Sequence, residues 1–336
     1  MKNIRMNLIL LLIIIFMNAC SIKNSIYETT ATNSKKYELI DADKNKDNNE
    51  NFNIDSVRIY KILDLKDTEI IVPKNQKDLQ SYSVIFKNKN NELIIFDGGR
   101  VEDADYLLSV IKYYGGVVNG WFLSHIHDDH IGALYKILND KNTDINIKNL
   151  YYNFASFDWY YEKIGNDAGA LYLFENALNE YKDLLISQNN KINIINKLNR
   201  SDLFDFNDIK VEVINDMYKL DSDPINNSTI VYKVYFEDYS LLSLGDLGYY
   251  GGEKLMENID NIKLKSDIVV VSHHGQNGVS EDFYKVVIPK IAIWPTTKKI
   301  FENLDKIYNT EDTIEALENV KTKYNIKTYE GTFIIK

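Results

Sequence analysis

The chain has 336 residues, a formal net charge of −10, five histidines and one cysteine. Hydrophobic residues make up 45% and aromatics 12%, which excludes a globally disordered chain, and the lone cysteine excludes an intrachain disulfide framework or a cysteine-rich zinc finger. The acidic balance excludes a protein that grips nucleic acid over its whole surface, although it leaves room for a small cationic site.

In chain order, Lys2 and Arg5 open a short basic start, and an unbroken apolar run follows from Leu8 to Met17. That run is about half of the ~20 residues that a spanning helix needs, so residues 1–19 read as a leader. Met17-Asn18-Ala19-Cys20 comes next and resembles a bacterial lipobox, with a small residue before the cysteine. Cleavage before Cys20 and lipidation of its sulfur are expected. The alternative is an ordinary secretory leader with a coincidental cysteine. Two or more acyl chains give stable anchoring, so the protein is expected outside the cytoplasm, on the bacterial cell membrane. Residues 20–55 are rich in Asn, Lys, Asp, Ser and Thr and read as a flexible tether. As a random coil it would reach roughly 30–40 Å.

Residues 56–336 show alternating strand and helix patterns. Strands are expected at Tyr82–Phe86, Leu93–Phe96, Gly120–Leu123, Lys210–Ile214, Ile230–Phe236, Ser240–Leu244, Asp267–Val271 and Ile291–Trp294. A polar break at Asn88 to Asn91 predicts a hairpin. Helical spacing marks Ala104–Tyr114, Ile131–Leu138, Ala168–Ile186, Glu253–Asn258, Asp282–Val286 and Thr313–Tyr324. Tyr151 to about Leu203 reads as a helical insertion. Its aromatic start (Tyr151, Tyr152, Phe154, Phe157, Trp159, Tyr160, Tyr161) is expected in the core, with a substrate wall as the alternative. Together these elements predict a layered α/β sandwich. Lys298 and Lys299 read as a solvated turn.

All five histidines fall in two clusters. Ser124-His125-Ile126-His127-Asp128-Asp129-His130 joins a strand to a helix, and alternation puts His125 and His127 on one side. Imidazoles and carboxylates suit zinc and related divalent ions. Gly245-Asp246 ends a later strand, and His273-His274-Gly275 follows another. Between the clusters, the Asp246 carboxylate could bridge two ions. Ser124 and Ser272 are expected to bond backbone, and no serine nucleophile is required.

With Phe96-Asp97-Gly98-Gly99 ahead of them, these motifs resemble the metallo-β-lactamase superfamily over roughly residues 57–336. Within it, Asn226-Asn227-Ser228-Thr229, His273-His274-Gly275 and Thr328 to Gly331 are similar to the soluble domain of ComEC-type competence proteins. The resemblance implies a four-layer αββα sandwich with one or two divalent ions at one edge, zinc first and manganese as the alternative. By position, His125 and His127 would hold the first ion. Asp129, His130 and His273 would hold the second, and Asp246 would bridge. Asp97 would orient a ligand histidine from behind. Asp129 would orient the attacking water, and His274 would contact substrate or donate a proton, although the reverse assignment of the two histidines stays open. Many members place another histidine between the first motif and Gly-Asp. None lies between His130 and His273 here, so Asn226 or Asn227 would offer a weaker ligand. The implied activity is hydrolysis by metal-activated water, on a small-molecule or oligonucleotide phosphodiester. A lactam, lactone or thioester is the alternative substrate, and a non-catalytic metal-binding lipoprotein the alternative class. No protein partner is inferred. Metabolic labelling with a fatty-acid analogue should mark the wild type and be lost in Cys20→Ser.

Overall fold

The computed structural model describes residues 51–140, 144–188 and 190–336, with the backbone of 39–40. Cys20, the leader and most of the expected tether lie outside the described residues. The packed domain takes in residues just before the expected boundary at 56. The Phe52 ring packs 5.1 Å from that of Tyr113, and its N–H donates to Ser109 Oγ at 2.7 Å.

The first half of the chain builds β1 (Arg58–Tyr60), β2 (Glu69–Val72), β3 (Ser83–Lys87) and β4 (Leu93–Asp97). Helix α1 (Ala104–Tyr113), β5 (Val117–Phe122) and α2 (Asp128–Asn139) follow. Next come β6 (Asn146–Ile147), β7 (Asn149–Tyr151), α3 (Phe157–Ile164), α4 (Gly169–Ser187) and β8 (Asn193–Ile195). The second half gives β9 (Leu203–Phe206), β10 (Ile209–Val213), β11 (Tyr232–Phe236), β12 (Tyr239–Ser243) and α5 (Tyr249–Asn258). It continues with β13 (Ile268–Val270), α6 (Glu281–Val287), β14 (Ile291–Trp294), α7 (Lys298–Phe301), α8 (Thr310–Asn319) and β15 (Tyr324–Lys327). The last strand, β16 (Phe333–Ile335), returns to the first sheet between β1 and β2. The order there is β1-β16-β2-β3-β4-β5-β7-β8, with β6 also on β5, and the second sheet runs β9 to β15 in sequence.

Side-chain alternation explains the layers. On β4, Ile94 and Phe96 face a core shared with Tyr232, Phe236 and Ile268 of the other sheet, whereas Leu93 and Ile95 face the helices. Leu107, Leu134 and Phe174 from α1, α2 and α4 cover that outer face. On the second sheet Leu241, Ile268 and Ile291 point inward. Leu242, Val269 and Ala292 meet Leu255, Phe283 and Leu317 of α5, α6 and α8. The result is the expected αββα sandwich. Among the described residues, no helix is long and apolar enough to cross a membrane.

Most expected elements form, with instructive differences. The β3–β4 hairpin forms because the Asn88 side chain accepts from the N–H groups of Asn90 and Glu92, both at 2.9 Å. The helix expected to reach Tyr324 ends at Asn319, since Lys321 turns left-handed at φ +62° and β15 then pairs parallel with β14. The insertion is not wholly helical: β7 and β8 extend the first sheet. Its aromatics pack largely as core, with Tyr160 fully buried and Tyr152, Phe154, Phe157 and Trp159 against the outer helical cluster.

β4 and β5 are parallel, as are β12, β13 and β14, so the loops leaving them gather at their C-terminal ends. Helix α2 lies close against the loop after β4, where Ala133 N–H donates to Gly99 O at 2.9 Å. A Cβ on Gly132 would fall 2.8 Å from Val101 N and 3.1 Å from Arg100 Cα. Alanine usually strengthens a helix interior, but here overpacking prevails. Gly132→Ala should destabilise the protein by about 1–3 kcal/mol in thermal or urea unfolding.

Candidate metal centre

The site is assembled from the loops that leave these parallel strands. After β5 a short loop that bends at Ile126 carries His125 and His127, and His127, directly before α2, has extended backbone. Asp129 and His130 come from the first helical turn. Asp246 follows β12 through Gly245, whose φ is +50° and whose added Cβ would meet the Ser124 side chain at 2.9 Å. Only glycine suits that position. After β13, His273 and His274 both adopt left-handed backbone, at φ +47° and +57°. Such residues are uncommon outside glycine, and two in succession mark stored strain.

Each inward ring is held from its far side. His130 Nδ1–H donates to Asp97 Oδ2 at 2.8 Å, and His274 Nδ1–H donates to the Pro295 carbonyl at 2.6 Å. His125 Nδ1 lies 2.9 Å from Ser124 Oγ, which donates to Asp97 Oδ2 at 2.7 Å. Ser124 N–H donates to Asp97 Oδ1, also at 2.7 Å. These bonds set the tautomers so that the Nε2 lone pairs of His125, His130 and His274 face the interior of the site.

There they meet more lone pairs. His130 Nε2 is 3.1 Å from Asp246 Oδ1, and His274 Nε2 is 3.0 Å from Asp129 Oδ2 and 3.4 Å from Asp246 Oδ2. Yet His130 Nε2, Asp246 Oδ1 and His274 Nε2 are buried without a hydrogen-bond partner. Buried polar atoms are rarely left so. Atoms that converge without bonding one another are what a shared cation requires. Asp129, His130, Asp246 and His274 form one such group, and His125, His127 and Asp246 form another, their ligand atoms within 4.8 Å of one another. Nitrogen and carboxylate oxygen donors in these numbers fit zinc or a related divalent ion.

The electrostatics agree. Burial opposes charge on His130, but Asp246 and Asp97 outweigh it and hold its pKa well above the ordinary histidine value. Burial likewise opposes His274, and Asp246 with Asp129 pushes it up to about 9. Burial would raise Asp246, yet the surrounding histidines, His130 first, hold it well below the usual carboxylate range. His125 and His127 are lowered, mainly by burial. The two carboxylates thus demand positive charge, from protons or from a metal ion.

The structure reverses the expected order of the paired histidines. His274, not His273, sits with Asp129 and His130, because the left-handed turn swings the second ring inward and Pro295 anchors it. His274 is fully buried, which does not suit the expected substrate contact. His273 lies at the side, its Nε2 3.9 Å from Asp246 Oδ2. Asn227 is not placed as a ligand. Its amide is consumed by backbone, accepting from Gly251 N–H at 2.9 Å and donating to Ser222 O at 2.7 Å. Asn226 is close, with Nδ2 3.4 Å from His273 Nε2 and its buried Oδ1 unpartnered. Ser124 bonds the Asp97 carboxylate rather than backbone, whereas Ser272 donates to Leu247 O. Lys298 and Lys299 open helix α7 instead of forming the expected turn, and Lys299 pairs with Asp305 and Lys298 with Glu302.

Three contributors escaped the sequence reading. Arg100 bonds Asp128 and reaches Asp129 Oδ2 at 3.7 Å; a basic residue directly after Asp97-Gly98-Gly99 was the available signal. Tyr82 stacks on His130 at 5.0 Å, pairs with Ser243 Oγ at 2.9 Å and accepts from Gly245 N–H at 3.2 Å. The Pro295 carbonyl left no signal.

The metallo-β-lactamase superfamily profile matches residues 77–287. No curated protein matches the chain. Among solved structures it is similar to the metallo-β-lactamase fold protein YhfI from Bacillus subtilis, at 9% identity and a TM-score of 0.47, over 80% of this chain and 99% of YhfI. It is also similar to unliganded yeast PDE1, at 14% identity and a TM-score of 0.42, over 80% of this chain and 97% of PDE1. A third is CmlA, a diiron β-hydroxylase from Streptomyces venezuelae, at 10% identity and a TM-score of 0.47, over 78% of this chain and 53% of CmlA. Because Asp97 orients both His130 and Ser124, Asp97→Asn should lower metal affinity roughly 10- to 100-fold in chelator competition, with the fold retained.

Proposed function

The chain belongs to the metallo-β-lactamase superfamily, and from that membership and its ligand geometry we propose a metal-dependent hydrolase of phosphodiesters, oligonucleotides included. The observation that carries this reading is the position of Asp246 between two groups of buried donors. One carboxylate shared by two groups fits a pair of ions close enough to clamp one reacting centre. Bound divalent ions supply Lewis acidity and a water acidic enough to attack near neutral pH.

The chain's own residues do the rest. His125 and His127 serve one position, and Asp129, His130 and His274 serve the other. Asp97, Ser124 and the Pro295 carbonyl hold the rings in the tautomer that turns Nε2 inward. Arg100 steadies Asp129 through its contacts with both aspartates. The buried setting excludes bulk water and strengthens each of these interactions. Two-ion clamping suits in-line displacement at phosphorus, and the motifs shared with ComEC-type domains support the same substrate class. Zinc fits the nitrogen-rich set, with manganese as the alternative that a carboxylate-rich position would accept.

The lipobox-like Met17-Asn18-Ala19-Cys20 supports an extracytoplasmic protein anchored to the membrane by lipid. An acidic protein in that place would draw polyanionic substrates through its metal ions and a few local cations. It would not use a broad basic surface.

Bis-p-nitrophenyl phosphate and a chromogenic β-lactam, assayed in parallel with added zinc or manganese, test the reading. Turnover of the phosphodiester is expected, falling roughly 100-fold or more in His127→Ala and Asp129→Ala. Turnover of the lactam alone would reverse the substrate assignment. Metal binding with neither activity would favour a non-catalytic metal-binding protein.

A further inference from the structure

The two donor groups are unequal. Asp129, His130 and His274 serve one position without sharing, whereas His125 and His127 are the only unshared members of the other. Asp246 belongs to both. One ion would therefore be held much more loosely than its neighbour unless another side chain contributes.

His273 is placed to be that side chain. Its Nε2 stands 3.9 Å from Asp246 Oδ2, the same separation as His125 Nε2 from that oxygen. Its ring diverges from that of His274, with centroids 6.2 Å apart and planes at 63°, so the neighbours face different points. The loop cannot drift easily, since His273 N–H donates to Gly245 O at 3.0 Å, beside Asp246 itself. Two features of the ring are otherwise unexplained. His273 Nδ1 is buried with no hydrogen-bond partner, and Nε2 meets only the Asn226 amide at 3.4 Å, a poor bond. The consecutive left-handed residues also hold backbone strain at this point of the loop.

We infer that His273 supplies the third imidazole of the first position, so that the adjacent histidines serve one ion each. Resting on the metal-dependent reading above, this explains how a chain without a histidine between its two clusters still presents two filled donor sets. The backbone strain at 273 and 274 then has a purpose: it splays neighbouring side chains toward two ions, which neither helix nor strand geometry would allow.

The test is metal stoichiometry, independent of any substrate. The full domain is stripped with chelator, reloaded with zinc and measured by elemental analysis, and cobalt spectra are recorded for the wild type, His273→Ala and His274→Ala. The wild type should hold two ions. His273→Ala should keep one and bind the second roughly 10- to 100-fold more weakly or worse. Its remaining ion certifies the fold. His274→Ala should lose an ion with a different cobalt spectrum. Two ions at unchanged affinity in His273→Ala would overturn the inference. So would a wild type with a single ion that His273→Ala retains, and that result would leave metal-dependent hydrolysis standing. Absence of any bound ion would overturn both readings.

Discussion

The buried carboxylate of Asp246 governs this structure. Imidazole nitrogens surround it and the second carboxylate of Asp129, all with little access to water. Such a group is tolerable only if positive charge is present, because an unpaired anion in a low-dielectric interior is strongly disfavoured. That positive charge could come from protons on His130 and His274 or from divalent ions. The Gly245 turn, the left-handed pair His273 and His274 and the bond between His274 and Pro295 keep these donors facing one another.

The sandwich meets that demand because its strands run parallel where it matters. Asp97 ends β4, the His125–His130 run leads from β5 into α2, and loops leaving β12, β13 and β14 carry Asp246, His274 and Pro295. Two hydroxyls tie the sheets together beside the site: Tyr82 to Ser243, and Tyr232 to the Leu123 carbonyl at 2.8 Å. The large inter-sheet core holds these edges at a fixed spacing. Its stacked pairs include Phe96 with Phe122 at 5.2 Å and Phe122 with Tyr151 at 4.3 Å. Packing therefore sets the ligand separation, and the ligands need no long flexible side chains to converge.

How much of this was legible in the sequence depended on range. The His125–His130 run and the strand–Gly245–Asp246 ending are local patterns, and β4 announces itself through alternation of a few residues. The choice between His273 and His274 was not legible, because the rule for which side chain faces inward fails once the backbone turns left-handed. Strands β1 and β16 are short and lack a period of their own; they exist because each finds a partner far along the chain. Helix α8 was overextended because its apolar spacing continues past Asn319, where pairing with β14 takes over. Tyr82 and the Pro295 carbonyl act across such distances that nothing in their neighbourhood betrays them.

Asp97 shows how far core and chemistry are joined. Its side chain supports Ser124 and His130, while its own carbonyl accepts from Trp121 Nε1 at 2.7 Å. The residue sits at φ +54°, so one tight turn sends side chain and main chain in different directions. Trp121 is wholly buried, and its ring lies against the space beside Gly98. The hydrophobic interior thus reaches the donor cluster through a single peptide. A chain with this wiring has no inert core to be retuned separately from its donor cluster; drift in packing beneath the sheet is passed on to the direction in which the imidazoles point.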